Sequence, residues 1–184
     1  MRILLVWLFF WVVSMGTGAH AAESLSPTPA MADAIQRVAP GARIVAKGDV
    51  STADCGDEFP DQPGLVMADF QGGGRRDFAV LLNAGDSGKV TEWEGKKLKL
   101  FNYAFAIFLD DGNGAFKLKL VERFEEHLPL AMFIHLEEPG KLDDRDSGNG
   151  VTLEHPGVTR VYCDKSAVLY HLVGEKIKTV QLSD

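Results

Sequence analysis

The sequence predicts a mainly β fold of the α+β kind: an antiparallel meander sheet of about seven to nine strands with one N-terminal helix packed on it. Three observations predict it. Short apolar or alternating runs recur from residue 65 to the end, separated by Gly, Asp and Asn. Residues 78–82 form an unbroken apolar run, the pattern of a strand covered on both faces. Helical spacing stands out in one stretch, where Met31, Ile35 and Val38 fall on one face.

Each element has its own local reason. Thr28 and Pro29 read as an N-cap and first helical residue, and Pro40-Gly41 stops the chain, so a helix is predicted over 30–39. Residues 43–47 suit a short strand. The stretch 49–64, with Gly56, Pro60 and Pro63, reads as loop. Strands follow at 65–68 and 78–82. Residues 84–97 read as a polar excursion carrying Trp93. Tyr103, Phe105, Ile107 and Leu109 alternate with Ala104 and Ala106, whose small side chains leave room for the helix. Residues 110–114 make a tight turn. Phe116, Leu118 and Leu120 then share one face opposite Lys117 and Lys119. Residues 130–136 suit another strand, and 137–150 a charged loop. Strands at 158–163 and 167–173 follow. Gly174-Glu175 fits a two-residue hairpin turn into a last strand at 176–182.

Residues 1–21 read as a secretory signal peptide: Arg2, an apolar core from Ile3 to Val13, and Ala19-His20-Ala21 for cleavage. Residues 22–29 form a polar linker, and 30–184 one domain. Of 184 residues, 163 remain after cleavage, with 18 basic against 26 acidic residues and a net charge of −8. That balance disfavours nucleic acid and anionic membrane surfaces. No later segment has the length and hydropathy of a membrane span, so no stable membrane insertion is expected. The expected location is periplasmic or extracellular. Cys55 and Cys163, an even pair in an exported chain, are expected to form a disulfide.

Two segments carry the chemistry worth weighing. Asp69-Phe70-Gln71-Gly72-Gly73-Gly74-Arg75-Arg76-Asp77 leads into the apolar run 78–82. Some thirty residues on, Phe105-Ala106-Ile107-Phe108-Leu109 runs into Asp110-Asp111-Gly112-Asn113-Gly114-Ala115-Phe116. Together they resemble a single FG-GAP or VCBS-type repeat, in which an Asp-x-Asn-Gly-Asp-Gly-x-x-Asp loop binds calcium and leads into a strand. The resemblance implies ligands at Asp69, Gln71, Gly73 and Asp77, with the carbonyl of Arg75. The chain departs from that pattern: Gly73 has no side-chain oxygen, and Gln71 offers a neutral one on a longer stem. Calcium demands six to eight oxygens. Two readings stand, a calcium loop with a reduced ligand set and a metal-free structural turn. The missing carboxylates weigh toward the second, with Arg75 and Arg76 pairing with Asp69 and Asp77 in place of the cation.

Other motifs exclude more than they offer. Gly85-Asp86-Ser87-Gly88 matches the surroundings of a serine-protease nucleophile, but His127, His135, His155 and His171 lack the matching context. Residues 72–74 lack the Gly-Lys-Ser/Thr ending of a phosphate loop. Glu125-Glu126, Glu137-Glu138 and Asp143-Asp144 read as solvated charge. Trp93 and Tyr103 are candidates for an exposed aromatic patch, but a cover on the core edge is the favoured reading. The expected function is therefore a non-enzymatic exported binding domain with a protein partner, of inhibitor or immunity type against a secreted hydrolase, its recognition carried by loops 84–97 and 137–150. The alternative is a calcium- or glycan-binding module at the cell surface.

Overall fold

The computed structural model describes residues 26–56, 59–93, 95–142 and 150–183. The expected signal peptide lies outside the described residues. The helix, α1 (Pro29–Val38), begins where Thr28 caps it: Met31 N donates to Thr28 Oγ1 at 3.3 Å. It buries Met31, Ala34 and Ile35. The chain then makes a two-residue strand β1 (Arg43–Ile44), shorter than expected, a 3-10 turn (Lys47–Asp49) and one helical turn, α2 (Thr52–Cys55). α2 falls inside the stretch read as loop, while the 3-10 turn begins at the end of the expected strand and meets that stretch only at Asp49.

Eleven strands follow a plan different from the predicted meander: the described residues form three sheets. The first contains β1, β2 (Leu65–Ala68), β3 (Asp77–Trp93), β4 (Lys96–Asp110) and β5 (Phe116–His127), in the order β1-β3-β4-β5. β2 also pairs with β3, so β1 and β2 lie end to end along one edge, Ile44 opposite Leu82 and Leu65 opposite Val80. Gly64 makes the join: a Cβ there would stand 2.4 Å from the Val45 carbonyl oxygen. The second sheet contains β6 (Met132–Glu137), β9 (Gly157–Tyr162), β10 (Ser166–Val173) and β11 (Lys176–Ser183), in the order β11-β10-β9-β6. β7 (Gly140–Leu142) and β8 (Val151–Leu153) form a small hairpin. β7 lies inside the expected 137–150 loop and β8 just past its end; residues 143–149 lie outside the described residues.

The split has a physical cause. A ten-residue helix covers only one face of a five-stranded sheet. On that face Met31, Ala34 and Ile35 meet Phe78, Val80, Leu82, Ala104 and Ala106. The other face carries Ala79, Leu81, Phe105 and Ile107, and these need a second cover. The second sheet supplies it with Met132, Ile134, Val158 and Tyr170, giving helix, sheet and sheet in three layers. Residues 78–82 are buried on both sides, as their unbroken apolar run predicts.

Two strand readings need correction. Residues 84–93 are not a loop but the second half of β3, which pairs with β4 down to Trp93 opposite Lys96. In β5, the register shifts between Ile107 and Phe108, placing Leu118 opposite Phe108 and Leu120 opposite Ile107. Lys119 is the extra residue, so Phe116 packs on the helix side and Leu120 on the second-sheet side. Cys55 and Cys163 form a disulfide that ties α2 to the end of β9, their Cα atoms 5.0 Å apart. Among the described residues no helix is long and apolar enough to cross a membrane.

Candidate functional site

The glycine loop between β2 and β3 is built around two carboxylates in opposite situations. Asp69 is at the surface, and its oxygens accept from Gly73 N at 3.1 Å and Gly74 N at 2.6 Å. Its slight burial would raise its pKa, but the backbone N–H groups of the loop hold it below the ordinary carboxylate value. Asp77 is fully buried. Burial raises its pKa, and three donors offset part of that: Asp110 N at 2.8 Å, Gln71 Nε2 at 2.8 Å and Phe70 N at 3.0 Å.

Gln71 decides what this loop can hold. Its amide nitrogen faces two acceptors, Asp77 Oδ1 and the Asp110 carbonyl oxygen at 3.2 Å, and that pairing fixes the amide's orientation. The side chain therefore presents a donor where a ligand oxygen was expected. Arg75 Nη1 also donates to the Asp110 carbonyl, at 3.2 Å. The expected pairing of Arg75 and Arg76 with Asp69 and Asp77 is thus replaced by amide donors. The second glycine turn closes on itself: Asp110 Oδ1 accepts from Gly112 N at 2.7 Å, and Asp111 Oδ1 from Asn113 N at 2.8 Å. Gly72 has φ of +71°, and a Cβ on it would lie 2.1 Å from the His155 ring, so the imidazole packs directly on the loop backbone.

Away from this loop, β3 and β4 leave the sandwich as a two-stranded ribbon. Trp93 is 60% exposed near its tip and Val90 57%. The register puts Thr91, Trp93, Lys96 and Leu98 on one face, and Val90, Glu92, Lys97 and Lys99 on the other. Trp93 and Leu98 line one side of a groove of about 500 Å³; Leu128, Pro129, Tyr162 and Cys163 line the other. The disulfide thus anchors the groove's floor. Tyr103, the other expected patch residue, is only 4% exposed and belongs to the core, because it points with Phe105 and Ile107 toward the second sheet.

Several other polar side chains pair with one another. Arg160, whose side chain is largely covered, meets Glu122 Oε2 at 2.5 Å, and Tyr170 Oη donates to the same oxygen at 2.9 Å. The guanidinium lies over Phe124 at 4.8 Å and Tyr170 at 5.5 Å. Sequence reasoning missed this network. Its signal was the position of Arg160 between Val158 and Tyr162 on the inward side of an alternating strand. His135 Nε2 lies 3.5 Å from the Glu137 Oε1 carboxylate oxygen. Thr159 Oγ1 donates to that same Glu137 oxygen at 2.9 Å, not to the imidazole, so hydroxyl and ring are not arranged as nucleophile and base. Ser87 Oγ accepts from Lys89 N at 3.2 Å inside the ribbon. Among the described residues, no three His, Cys, Asp or Glu side chains converge as a metal centre.

Comparison with known proteins returns no match, whether to a family model, a curated protein or a solved structure.

Proposed function

We propose that this chain is an exported, non-enzymatic binding domain of inhibitor or immunity type, gripping a secreted hydrolase with the β3–β4 ribbon. The observation that carries the reading is Trp93, held 60% exposed on a paired strand. Tryptophan is the side chain most enriched at binding hot spots. On a hydrogen-bonded ribbon it is already ordered, so docking it costs less conformational entropy than ordering a loop would. The disulfide at the groove floor adds a fixed surface beside it. The alternative is a calcium- or glycan-binding module; its calcium form draws less support, because the oxygens of Asp77 already carry three donors and Gln71 turns its nitrogen toward them.

The test is capture and inhibition. The chain lacking residues 1–21 is immobilised and exposed to an envelope extract, and the captured protein is assayed for cell-wall or protein hydrolysis. A stoichiometric hydrolase whose activity the free chain suppresses supports the reading. The Trp93→Ala variant is expected to weaken suppression at least about tenfold, the range of a hot-spot truncation. Retention on polysaccharide with no protein captured would overturn it in favour of the glycan module.

A further inference from the structure

Three adjacent strands lose register at one level of the first sheet. In the β3–β4 pairing the register shifts between Asn83 and Gly85, and again between Asp86 and Val90. In the β4–β5 pairing it shifts between Phe101 and Tyr103. Positive φ angles gather at the same level: Gly85 at +100°, Gly88 at +75°, and Glu126, a non-glycine residue, at +57°. Bulges leave backbone groups out of the ladder and concentrate bending. Beyond them β5 no longer pairs, His127 opposite Phe101 being its last contact with β4, and only the two-stranded ribbon continues. A line of irregularities across a sheet, with a ribbon on its far side, is a hinge.

What the hinge carries faces a matching surface. Trp93 and Leu98 look across the groove at Leu128, Pro129 and Tyr162. These are apolar or amphipathic side chains separated by open space, and their closure would remove them from water. The geometry points to a flap: the ribbon bends at 83–88 and 101–102 and lays Trp93 and Leu98 onto Leu128, Pro129 and Tyr162, shutting the groove. An ion pair between the ribbon and β5 sets the open position. Lys89 Nζ on the ribbon lies 2.6 Å from Glu126 Oε1 on β5, and both side chains are largely exposed. Such a pair is weak and screened by salt, which suits a releasable latch. Lys99 and Asp86, 2.9 Å apart, pair across the bending level itself, between the two strands that continue as the ribbon, and do not reach β5.

Trp93 is the only tryptophan beyond residue 21, so its emission reports the flap directly. In the chain lacking residues 1–21, Lys89→Gln is expected to shift emission to the blue and cut acrylamide quenching by about half, as the population moves to the closed state. Raising salt to molar levels does the same to the wild type. Adding Leu128→Ser to Lys89→Gln returns emission and quenching toward the wild-type values, because the closed contact is spoiled. Thermal unfolding of each variant shows that it folds. Emission and quenching that stay the same in Lys89→Gln and in salt would overturn the flap, and so would a blue shift that survives Leu128→Ser. The readout needs no partner, so its failure would leave the binding proposal standing.

Discussion

β3 and β4 are each one unbroken strand that lives in two environments. From Asp77 to Leu82 every residue of β3 is buried, with β1 and β2 on one edge, β4 on the other, the helix above and the second sheet below. From Ala84 to Trp93 the same strand has a single neighbour and no cover over most of its length. An isolated two-stranded hairpin is marginal in water. The ribbon persists because it continues a pair already fixed in the core. Backbone pairing and hydrophobic burial therefore end at different places along one strand. The interval between them leaves an ordered aromatic exposed.

The largest effect that sharpens this contrast is in the body. Phe105 is fully buried and lies 4.7 Å from the Tyr170 ring. Phe105→Ala is expected to cost about 4 kcal/mol, transfer and cavity together, read from urea unfolding. A cost below about 1 kcal/mol would mean that the two sheets do not share one core. Next is the crosslink. Cys55 and Cys163 are 108 residues apart in sequence, a loop whose chain entropy sets an upper value of about 4.7 kcal/mol. Replacing both with Ser is expected to lower stability by about 3 kcal/mol and to loosen the groove floor. Unchanged unfolding under reducing conditions would contradict this.

How much of this was legible in the sequence depends on how local each cause is. The helix was legible because Thr28, Pro29 and the Met31–Ile35 spacing act within one segment. So was the burial of residues 78–82, and so was the fit of Ala104 and Ala106 beneath the helix. The division into two sheets was not, since it follows from which face remains uncovered after the helix docks. The ribbon was hidden by its own turn-formers. Gly85 N bonds Asn83 Oδ1 and Gly88 N bonds Asp86 Oδ1, contacts that usually close a turn but here sit inside bulges of a continuing strand. In the glycine loop, the turn between two strands could be read from Gly72, Gly73 and Gly74. The direction of the Gln71 amide could not, because it depends on the Asp110 carbonyl, 39 residues away. Glu122 and Arg160 are 38 residues apart and meet only once the sheets stack.

Smaller effects probe the layer between the sheets. Arg160→Met keeps the stem over Phe124 and Tyr170 but leaves the Glu122 carboxylate with the Tyr170 hydroxyl alone. A loss of about 2 kcal/mol is expected, below the range for a fully buried pair because Glu122 is partly exposed. The two core tyrosines add a pH signature. Burial first, and then the nearby Asp49 charge, push Tyr103 up to about 12. Burial also raises Tyr170, with Glu122 acting in the same direction and Arg160 against it. An unfolded phenol ionises near pH 10. The folded state keeps protons that the unfolded state sheds, so the stability these groups contribute is complete below about pH 10 and falls as pH rises through 12. Urea midpoints should therefore decline over that interval, and less steeply in Tyr103→Phe. A flat alkaline limb in the wild type would place these phenols in water.

The smallest effect on stability is at the ribbon tip. Trp93→Ala removes the largest exposed side chain of the chain's described residues, yet that side chain faces the open groove rather than the core. The expected change in unfolding free energy is within about 0.5 kcal/mol, as for surface positions generally. The contrast with Phe105 is what matters, since both are aromatic residues on the same paired strands. If Trp93→Ala destabilised the fold by as much as about 3 kcal/mol, the ribbon would be a load-carrying part of the core, and its tryptophan would be explained by packing alone. If stability holds while partner suppression is lost, the exposed half of β3 and β4 is kept for recognition, and the buried half for holding it in place.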